Sequence, residues 1–386
     1  MDGETFAAIE TAGRERWLGR LREELEAGEY RPQPLLRVWI PKSNGGQRPL
    51  GIPCVRDRVV ETAVLMVLGP IFEADLLPQR FGFRPGRDAE TAVRRAFWPI
   101  TDHGRSEVVD ADLSDYFASI PHGPLMRCVG RRVADGTILA VIKAWLTVPV
   151  VERVRRTTRY DTGARDRHRG APQGSPISPL LANLYFRRFL LAWERFGHRA
   201  KLDAHVVNNY ADDFVICCRP GNGPAALATM RQLMTRLGLT VNEAKTRLTR
   251  LPRESFAFLG YTVGRFYGKG GVAYIGTHPS RKAVRRLLQR IHEATTSRWH
   301  STSPAERVAV INRLLRGWTA YFNQGPVLRT YGLVRRYVER RVRRWLMRRS
   351  GRRGTGYRRY PDEHLYGVLG LFPLPLHRGD LPSAKA

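Results

Sequence analysis

Three aspartates in two separate segments have the residue type and setting to bind divalent metal ions. Asp212 and Asp213 stand side by side in the apolar run "VVNNYADDFVICC", and Asp112 follows an apolar run in "EVVDADLSDYF". Neighbouring carboxylates repel each other, and burying them is unfavourable unless a cation compensates. Carboxylates from two segments that hold two metal ions about 4 Å apart suit phosphoryl or nucleotidyl transfer. Either segment alone is more often an ordinary acidic turn or helix cap, so other segments must support this hypothesis.

Two further segments carry features that suit nucleotides. In "IPKSNGGQRPLGIP", Lys42 and Arg48 flank a predicted hairpin turn, and two cations there suit a triphosphate. In "GAPQGSPISPLLANLYF", a Gly/Pro loop precedes a predicted helix, and its glycines allow close approach of the backbone to a base pair or sugar. A solvated surface turn and an ordinary loop-to-helix junction are the alternative interpretations.

Composition favours a polyanionic partner. The 386 residues include 65 Lys+Arg against 35 Asp+Glu, a net charge of +30. Nucleic acid fits best, and an acidic membrane surface comes second. No run approaches the ~20 apolar residues of a membrane span, and the N-terminus lacks an apolar signal segment. Four cysteines without CxxC spacing predict no zinc site or disulfide framework, which is typical of a reducing cytoplasm.

The hydrophobic pattern predicts a mixed region followed by a basic helical one. Val38 with Ile40, and Leu50 with Ile52, predict two strands around "KSNGGQ". From about Ser280 the chain is predicted to be wholly helical, with two apolar stripes. They comprise Val308, Ile311, Leu315, Trp318 and Phe322, then Val327, Tyr331, Val334, Val338, Val342 and Trp345. The face opposite the second stripe carries Arg335, Arg336, Arg340, Arg343 and Arg344.

The order of these segments resembles the reverse transcriptase superfamily. More closely, the chain resembles the reverse transcriptase/maturase proteins encoded by bacterial group II introns. The matching text includes "RPLGIPCVRDRVVETAV", "FGFRPGRDAETAV", "GAPQGSPISPLLANLYF", "YADDFVI", "GLTVNEAKTRL", "FLGYTV" and "LLRGWTAYFNQG". The resemblance runs from about residue 28 to 375, and its combination of motifs is more specific than any single one.

The resemblance implies an α+β right-hand polymerase. Fingers and palm, with an antiparallel palm sheet flanked by helices, are expected over 1–277. An all-helical thumb/maturase domain is expected over 278–349, and a basic, Pro-rich tail over 350–386. The family usually has a longer N-terminal extension, and some members carry an HNH endonuclease. The start at "MDG" and the lack of a Cys/His-rich segment predict a shortened N-terminus and no endonuclease.

The resemblance also assigns residues to roles. Asp112, Asp212 and Asp213 match the catalytic, metal-binding aspartates, and Leu113 is assigned to the same site, which would hold two Mg²⁺ or Mn²⁺ ions. Phe117, five residues after Asp112, matches the steric gate that excludes a ribose 2′-hydroxyl. The remaining dNTP-binding residues implied are Lys42, Arg48, Gln173 and Lys245. Those implied for template or primer are Arg84, Pro172, Gly174, Arg335, Arg336 and Arg340. For Lys245, assistance to the leaving phosphate and a plain surface position remain equal alternatives.

The implied activity is RNA-directed DNA polymerisation from dNTPs onto a DNA or RNA primer, with intron RNA as a further partner. Phe117 disfavours an RNA-dependent RNA polymerase. Two alternatives remain: a splicing maturase with secondary polymerase activity, and a free-standing reverse transcriptase serving defence, repair or CRISPR spacer acquisition. The expected location is the bacterial cytoplasm.

Overall fold

The chain forms two compact units. The computed structural model describes residues 3–41, 45–154, 157–210, 213–268 and 270–375. Unit 1 comprises Met1–Ala92 and Glu107–Leu248, and unit 2 comprises Val93–Ser106 and Thr249–Ala386. The sequence places a domain boundary after residue 277 instead. In the structure, the small sheet after Leu248 belongs to the same unit as the C-terminal helices. One contact that joins them is the hydrogen bond from the Tyr261 hydroxyl to the Tyr321 carbonyl, at 2.6 Å.

Unit 1 contains eleven helices in the part of the chain that the structure describes, the fourth of which continues into unit 2. They are α1 (Phe6–Ala12), α2 (Arg14–Glu26), α3 (Val55–Glu73), α4 (Ala89–Thr101), α5 (Tyr116–Ser119), α6 (His122–Val129), α7 (Gly136–Thr147), α8 (Gly163–Asp166), α9 (Ser178–Arg195), α10 (His198–Lys201) and α11 (Gly223–Arg236). The amide of Thr91 donates to the Asp88 carboxylate at 2.6 Å, so Asp88 caps the N-terminus of α4.

The strands of unit 1 form two four-stranded sheets. They are β1 (Leu35–Pro41), β2 (Gln47–Ile52), β3 (Glu107–Ala111), β4 (Val150–Val154), β5 (Thr157–Asp161), β6 (Ala204–Tyr210), β7 (Asp213–Cys218) and β8 (Arg247–Arg250). One sheet has the order β2-β1-β4-β5, the other β6-β7-β3-β8. Strands β1 and β2 pair antiparallel from Leu36↔Ile52 to Pro41↔Gln47, which confirms the predicted hairpin.

The second sheet packs one face on the core of unit 1. Alternate residues of β3 and β7, such as Val109 and Phe214, belong to a cluster that includes the buried helix α9. In α9 the apolar residues are buried on nearly all sides, and Phe186 and Phe189 contact the ring of Phe214 at 5.3 and 5.5 Å between centroids. The core therefore fixes one face of β7, the strand that begins at Asp213.

Unit 2 combines a three-stranded sheet with a helical bundle. Its elements are β9 (Phe256–Phe258), β10 (Tyr261–Tyr267), β11 (Ala273–Pro279), α12 (Arg281–Ala294), a 3-10 turn (Ser297–Trp299), α13 (Pro304–Tyr321), α14 (Leu328–Arg349) and a π-helical turn (His364–Val368). The sheet order is β11-β10-β9. Helix α13 begins with a capping box between Ser303 and Glu306 and has Pro304 in its first turn.

Both predicted apolar stripes pack into the core of unit 2. Val308, Ile311 and Leu315 of α13 meet a fully buried stripe on α14, with Trp318 half-buried beside them. The segment after α14, by contrast, is not a loose tail. Leu365, Leu371 and Leu374 are buried in this same core, so the segment through residue 375 is part of unit 2. None of the helices in the described residues is long and apolar enough to cross a membrane.

Candidate active site

Asp112 and Asp213 lie at the same end of the paired strands β3 and β7. The two strands pair antiparallel, with Asp110 opposite Val215 and Ala111 opposite Phe214. Asp112 comes directly after Ala111, and Asp213 comes directly before Phe214. Because side chains alternate along a strand, both lie on the face opposite Phe214 and Ile216, away from the core. Asp212 and Lys42 fall outside the described residues.

Asp112 is held by a turn that follows α11. The Asn242 amide donates through Nδ2 to Asp112 Oδ2 at 3.0 Å, and Lys245 Nζ donates to the same oxygen at 2.8 Å. The backbone is tied as well, since Asn242 N donates to the Asp112 carbonyl at 2.9 Å. The Asp112 side chain is 14% exposed. One carboxylate oxygen is therefore fixed by the protein, and Oδ1 has no hydrogen-bond donor among the described residues.

A carboxylate two residues earlier shares this face. The pKa of Asp110 is raised to about 6, mainly by burial; Arg247 lowers it, and the nearby charge of Asp112 contributes to the rise. Arg247 Nε lies 3.6 Å from Asp110 Oδ2. A cation near the strand end thus compensates part of the negative charge that Asp110 and Asp112 concentrate there.

A cavity of about 720 Å³ opens in front of these residues. Asp112, Leu113 and Lys245 line it together with Arg48 of β2 and with Pro172 and Gln173 of the Gly/Pro loop. Residues predicted to bind the metal ions, the triphosphate and the template therefore line the same cavity. Its wall also carries three arginines that the sequence did not single out: Arg37, Arg167 and Arg169. Gly174 and Phe117 are not among the residues that line it.

The Gly/Pro loop is fastened to β2. Gly51 N donates to the Gln173 carbonyl at 2.8 Å. Gly174 has φ +121°, and a Cβ at this position would lie 2.9 Å from the Gly51 carbonyl oxygen. Only glycine satisfies both the backbone conformation and this contact. The loop is thereby pressed against the hairpin strand that carries Arg48.

A buried carboxylate holds the other side of the loop. Glu61 of α3 accepts a hydrogen bond from the Ser175 hydroxyl and a longer one, at 3.5 Å, from Ile177 N. Glu61 is 1% exposed. Its pKa is raised to about 7, mainly by burial; the two hydrogen bonds lower it, and the charge of Asp57 contributes to the rise. Glu61 therefore titrates near neutral pH while it anchors the loop.

Phe117 packs beside the loop rather than inside the cavity. Its ring contacts Phe83 edge-on, with 6.3 Å between centroids, and its carbonyl accepts a hydrogen bond from Ala171 N at 2.8 Å. Phe83 is 52% exposed and has φ +60°, a conformation that is uncommon outside glycine. The assignment of Phe117 as a steric gate stays a prediction.

Arg84 has a largely buried side chain with several partners. Its side chain is 5% exposed, and its guanidinium forms an ion pair with Glu73 at 2.6 Å. It also donates to the carbonyls of Leu77 and Arg80 at 2.8 and 3.0 Å. These contacts close the turn after α3, and the contact of Arg84 with template or primer stays a prediction.

The arginines of α14 divide into exposed and buried ones. Arg336 and Arg340 are exposed, as a phosphate contact requires, and Arg335 is half-buried against Glu339 at 2.8 Å. Arg343, expected on the same face, is 1% exposed. It forms an ion pair with Asp362 and donates through Nε to the Tyr360 carbonyl at 2.8 Å. Its predicted exposure is wrong because the segment after α14 folds over it.

Unit 2 has a basic groove of about 650 Å³ that the sequence did not reveal. Arg286 and Arg290 of α12 and Arg313 of α13 are exposed along it. Its apolar lining includes Trp318 and Tyr321. Arginines beside aromatic rings suit a nucleic-acid strand. Their spacing of three to four residues along amphipathic helices was the available signal, but it does not say which helices become neighbours.

Comparison with known families identifies the chain. Residues 40–263 match the model of the reverse transcriptase (RNA-dependent DNA polymerase) family. The chain belongs to this family. Residues 284–361 match the maturase-specific domain of group II introns, so the chain is of the group II reverse transcriptase/maturase type. The resemblance and the right-hand α+β fold expected from the sequence are both confirmed.

Individual relatives agree with this assignment. The chain is 34% identical to protein YkfC of Escherichia coli over 68% of this chain and 75% of that protein. It is 31% identical to the group II intron-encoded protein LtrA of Lactococcus lactis subsp. cremoris, over 44% of this chain and 27% of LtrA. A solved telomerase structure from Candida albicans aligns with a TM-score of 0.48 and 12% identity, covering 92% of this chain and 67% of that chain. The chain thus spans a minor part of LtrA and three quarters of YkfC.

The described residues fit a divalent metal ion. Asp112 offers a carboxylate oxygen without a protein donor, and Asp213 stands across the strand pair; carboxylate oxygens are the ligands that Mg²⁺ and Mn²⁺ prefer. No cluster of three or more His, Cys, Asp or Glu side chains occurs in the parts of the chain described. The third predicted ligand, Asp212, falls in the gap between residues 210 and 213.

Proposed function

We propose that the chain extends a DNA or RNA primer with dNTPs on an RNA template, at the cavity that Asp112 lines. The observation that carries this proposal is that Asp112, Lys245, Arg48 and Gln173 line one cavity. Asp213 begins β7, the strand that pairs with β3 just before Asp112. Membership of the reverse transcriptase family supports the reaction class.

In this proposal the chain supplies an anionic and a cationic side to the reaction. Asp112, Asp212 and Asp213, with Leu113 beside them, hold two Mg²⁺ or Mn²⁺ ions. When bound, these ions stabilise the charge that develops on the attacking 3′-oxygen and the leaving pyrophosphate. Arg48, together with Lys42, binds the triphosphate through charge-assisted hydrogen bonds.

The base pair and the sugar are selected by neighbouring segments. Pro172, Gln173 and Gly174 form the surface for the templating base pair. Hydrogen bonds to Gly51 and Glu61 keep the loop that carries them in a fixed position. Phe117 lies between Tyr116 and Ala118, which line the cavity, and Ala171 N keeps its backbone in position. From this place its ring excludes a ribose 2′-hydroxyl. Deoxynucleotides are then the preferred substrates.

RNA binding extends over unit 2. The maturase-specific match, the net charge of +30 and the groove with Arg286, Arg290 and Arg313 support a contact with template–primer and with group II intron RNA. Arg336 and Arg340, and less fully Arg335, add phosphate contacts on α14. A location in the bacterial cytoplasm accords with such a role.

A second candidate function is a splicing maturase with secondary polymerase activity. The maturase-specific match over 284–361 favours it. In either function, the basic surfaces of unit 2 would bind RNA. Only the polymerase needs the cavity of unit 1. The cavity's lining by Asp112 and Arg48 favours the polymerase as the primary activity.

Primer extension on an RNA template with Mg²⁺ tests the proposal. The unaltered protein should extend the primer with dNTPs and not with rNTPs, and Phe117→Ala should admit rNTPs. Asp212→Ala should abolish synthesis while RNA affinity in a filter-binding assay stays the same. Tight, salt-sensitive RNA binding without any product from dNTPs would overturn the polymerase proposal in favour of the maturase.

A further inference from the structure

Two donors of different charge share one oxygen of Asp112. Asn242 Nδ2 and Lys245 Nζ lie 3.0 and 2.8 Å from Oδ2. The amide is neutral, whereas the ammonium carries a full positive charge. A metal ion at the same carboxylate is attracted by the charge of Asp112 and repelled by that of Lys245. The two contacts therefore act on metal binding with opposite signs.

Asn242 is fixed by its surroundings. Its backbone N–H donates to the Asp112 carbonyl at 2.9 Å, and its own carbonyl accepts from Lys245 N at 3.1 Å and Thr246 N at 2.8 Å. The preceding residue, Val241, pairs with Leu113 in an isolated bridge. The side-chain amide thus has a set position, from which it keeps the Asp112 carboxylate in one orientation whether or not a metal ion is present.

Lys245 has a more movable side chain. It is 64% exposed, against 14% for Asp112, and it lines the cavity together with Arg48. Water can solvate the exposed ammonium once it leaves Asp112, so a metal ion can replace it there. A lysine released from Asp112 stays within the cavity and can turn toward an anion there.

We propose that Lys245 takes the place of a cation at Asp112 in the metal-free protein and is displaced when a metal ion binds, while Asn242 remains and orients the carboxylate. This inference rests on the proposed function, since it assumes that Asp112 is a metal ligand. Displacement links the two alternatives for Lys245: it is an ion-pair partner before the metal ion binds, and a phosphate ligand afterwards.

Titration of the protein with Mn²⁺ alone tests the exchange without any catalytic turnover. Binding is measured as the loss of the EPR signal of free Mn²⁺. Lys245→Met should lower the dissociation constant for Mn²⁺ about fivefold, because Asp112 then gives up no ion pair when the metal ion binds; about 1 kcal/mol, the upper end for surface ion pairs, corresponds to this factor. Asn242→Ala should raise it by a similar factor, because the carboxylate loses its orienting hydrogen bond. Lys201→Met, which removes an exposed lysine from α10 outside the cavity, is the matched charge control and should leave the constant unchanged.

The outcomes separate this inference from the proposed function. Tighter Mn²⁺ binding by Lys245→Met, with a raised KM for dNTP, supports the exchange. Unchanged or weaker binding by that variant overturns it, even if DNA synthesis on RNA is intact. Mn²⁺ binding that is identical in Asp112→Asn would show that Asp112 is not a ligand, which overturns both the exchange and the metal assignment. Melting temperatures of all variants confirm that each is folded.

Discussion

Replacing Gly174 by alanine should impair both folding and nucleotide selection. Gly174 has φ +121°, and a Cβ there would stand 2.9 Å from the Gly51 carbonyl oxygen. A residue with a side chain in such a conformation costs about 1–3 kcal/mol. The contact is with backbone, so no side chain can rotate away, and the loop must instead move from β2.

The displacement should appear in catalysis because Gln173 moves with the loop. Gly51 N donates to the Gln173 carbonyl at 2.8 Å, and this hydrogen bond is the first to be lost. A shift of about 1 Å in a positioning group can cost about 100-fold in rate. We expect kcat/KM for dNTP to fall by about 10- to 100-fold in single-nucleotide incorporation, and the free energy of unfolding to fall by about 1–3 kcal/mol.

Gly19→Ala is the matched control. Gly19 lies within α2 with nothing within 4 Å of a Cβ, and its φ is not positive. Alanine in a helix interior is favoured over glycine by about 1 kcal/mol, so this variant should be slightly more stable and equally active. Unchanged kcat/KM and stability in Gly174→Ala would refute the reasoning that the loop is fixed against β2.

Three further variants test other parts of the structure. The raised pKa of Glu61, about 7 against an ordinary 4.5, means that the folded protein loses up to about 3 kcal/mol of stability as pH rises from 4.5 to 7. Glu61→Gln, which stays neutral, should remove that loss, as chemical denaturation at several pH values would show. Arg343→Met should destabilise unit 2 by about 2 kcal/mol, because Asp362 and the Tyr360 carbonyl lose their hydrogen-bond donor. Its control is Arg344→Met at an exposed position, which should change stability by less than about 0.5 kcal/mol. Arg290→Ala should reduce the slope of log K for RNA against log salt by about 1, and an unchanged slope would remove the groove from the RNA contact.

Local patterns predicted much of the fold. The hairpin of β1 and β2 followed from alternating apolar residues around an Asn/Gly turn, and the buried stripe of α14 followed from helical spacing. Such features depend on residues close in sequence. The position of Asp112 at the end of a buried strand was predicted in the same way.

The contacts that complete the site lie far apart in the chain. Asn242 and Asp112 are 130 residues apart, and Ser175 and Glu61 are 114 apart. Neither pair has a local signature, since Asn in a turn and Glu in a helix are both ordinary. The pairing of Lys245 with Asp112 likewise shows only once the turn after α11 is folded against β3.

The sequence did not distinguish buried arginines from exposed ones. Arg84 was assigned to template or primer, and Arg343 to the face of α14 opposite the apolar stripe. The structure buries both side chains and pairs them with Glu73 and Asp362. A sequence in which 65 residues are Lys or Arg offers no local means to tell a structural arginine from an RNA-binding one. Burial by a segment distant in sequence decides this.

Single-nucleotide incorporation by Asp112→Asn tests the central claim most directly. The substitution keeps the size of the side chain and its place near Asn242 and Lys245, but removes the negative charge that holds a metal ion. We predict that incorporation of dNTP on a primed RNA template slows by at least about 1,000-fold, while RNA affinity changes by less than about twofold. Incorporation at the rate of the unaltered protein would contradict the assignment of this cavity as the polymerase site.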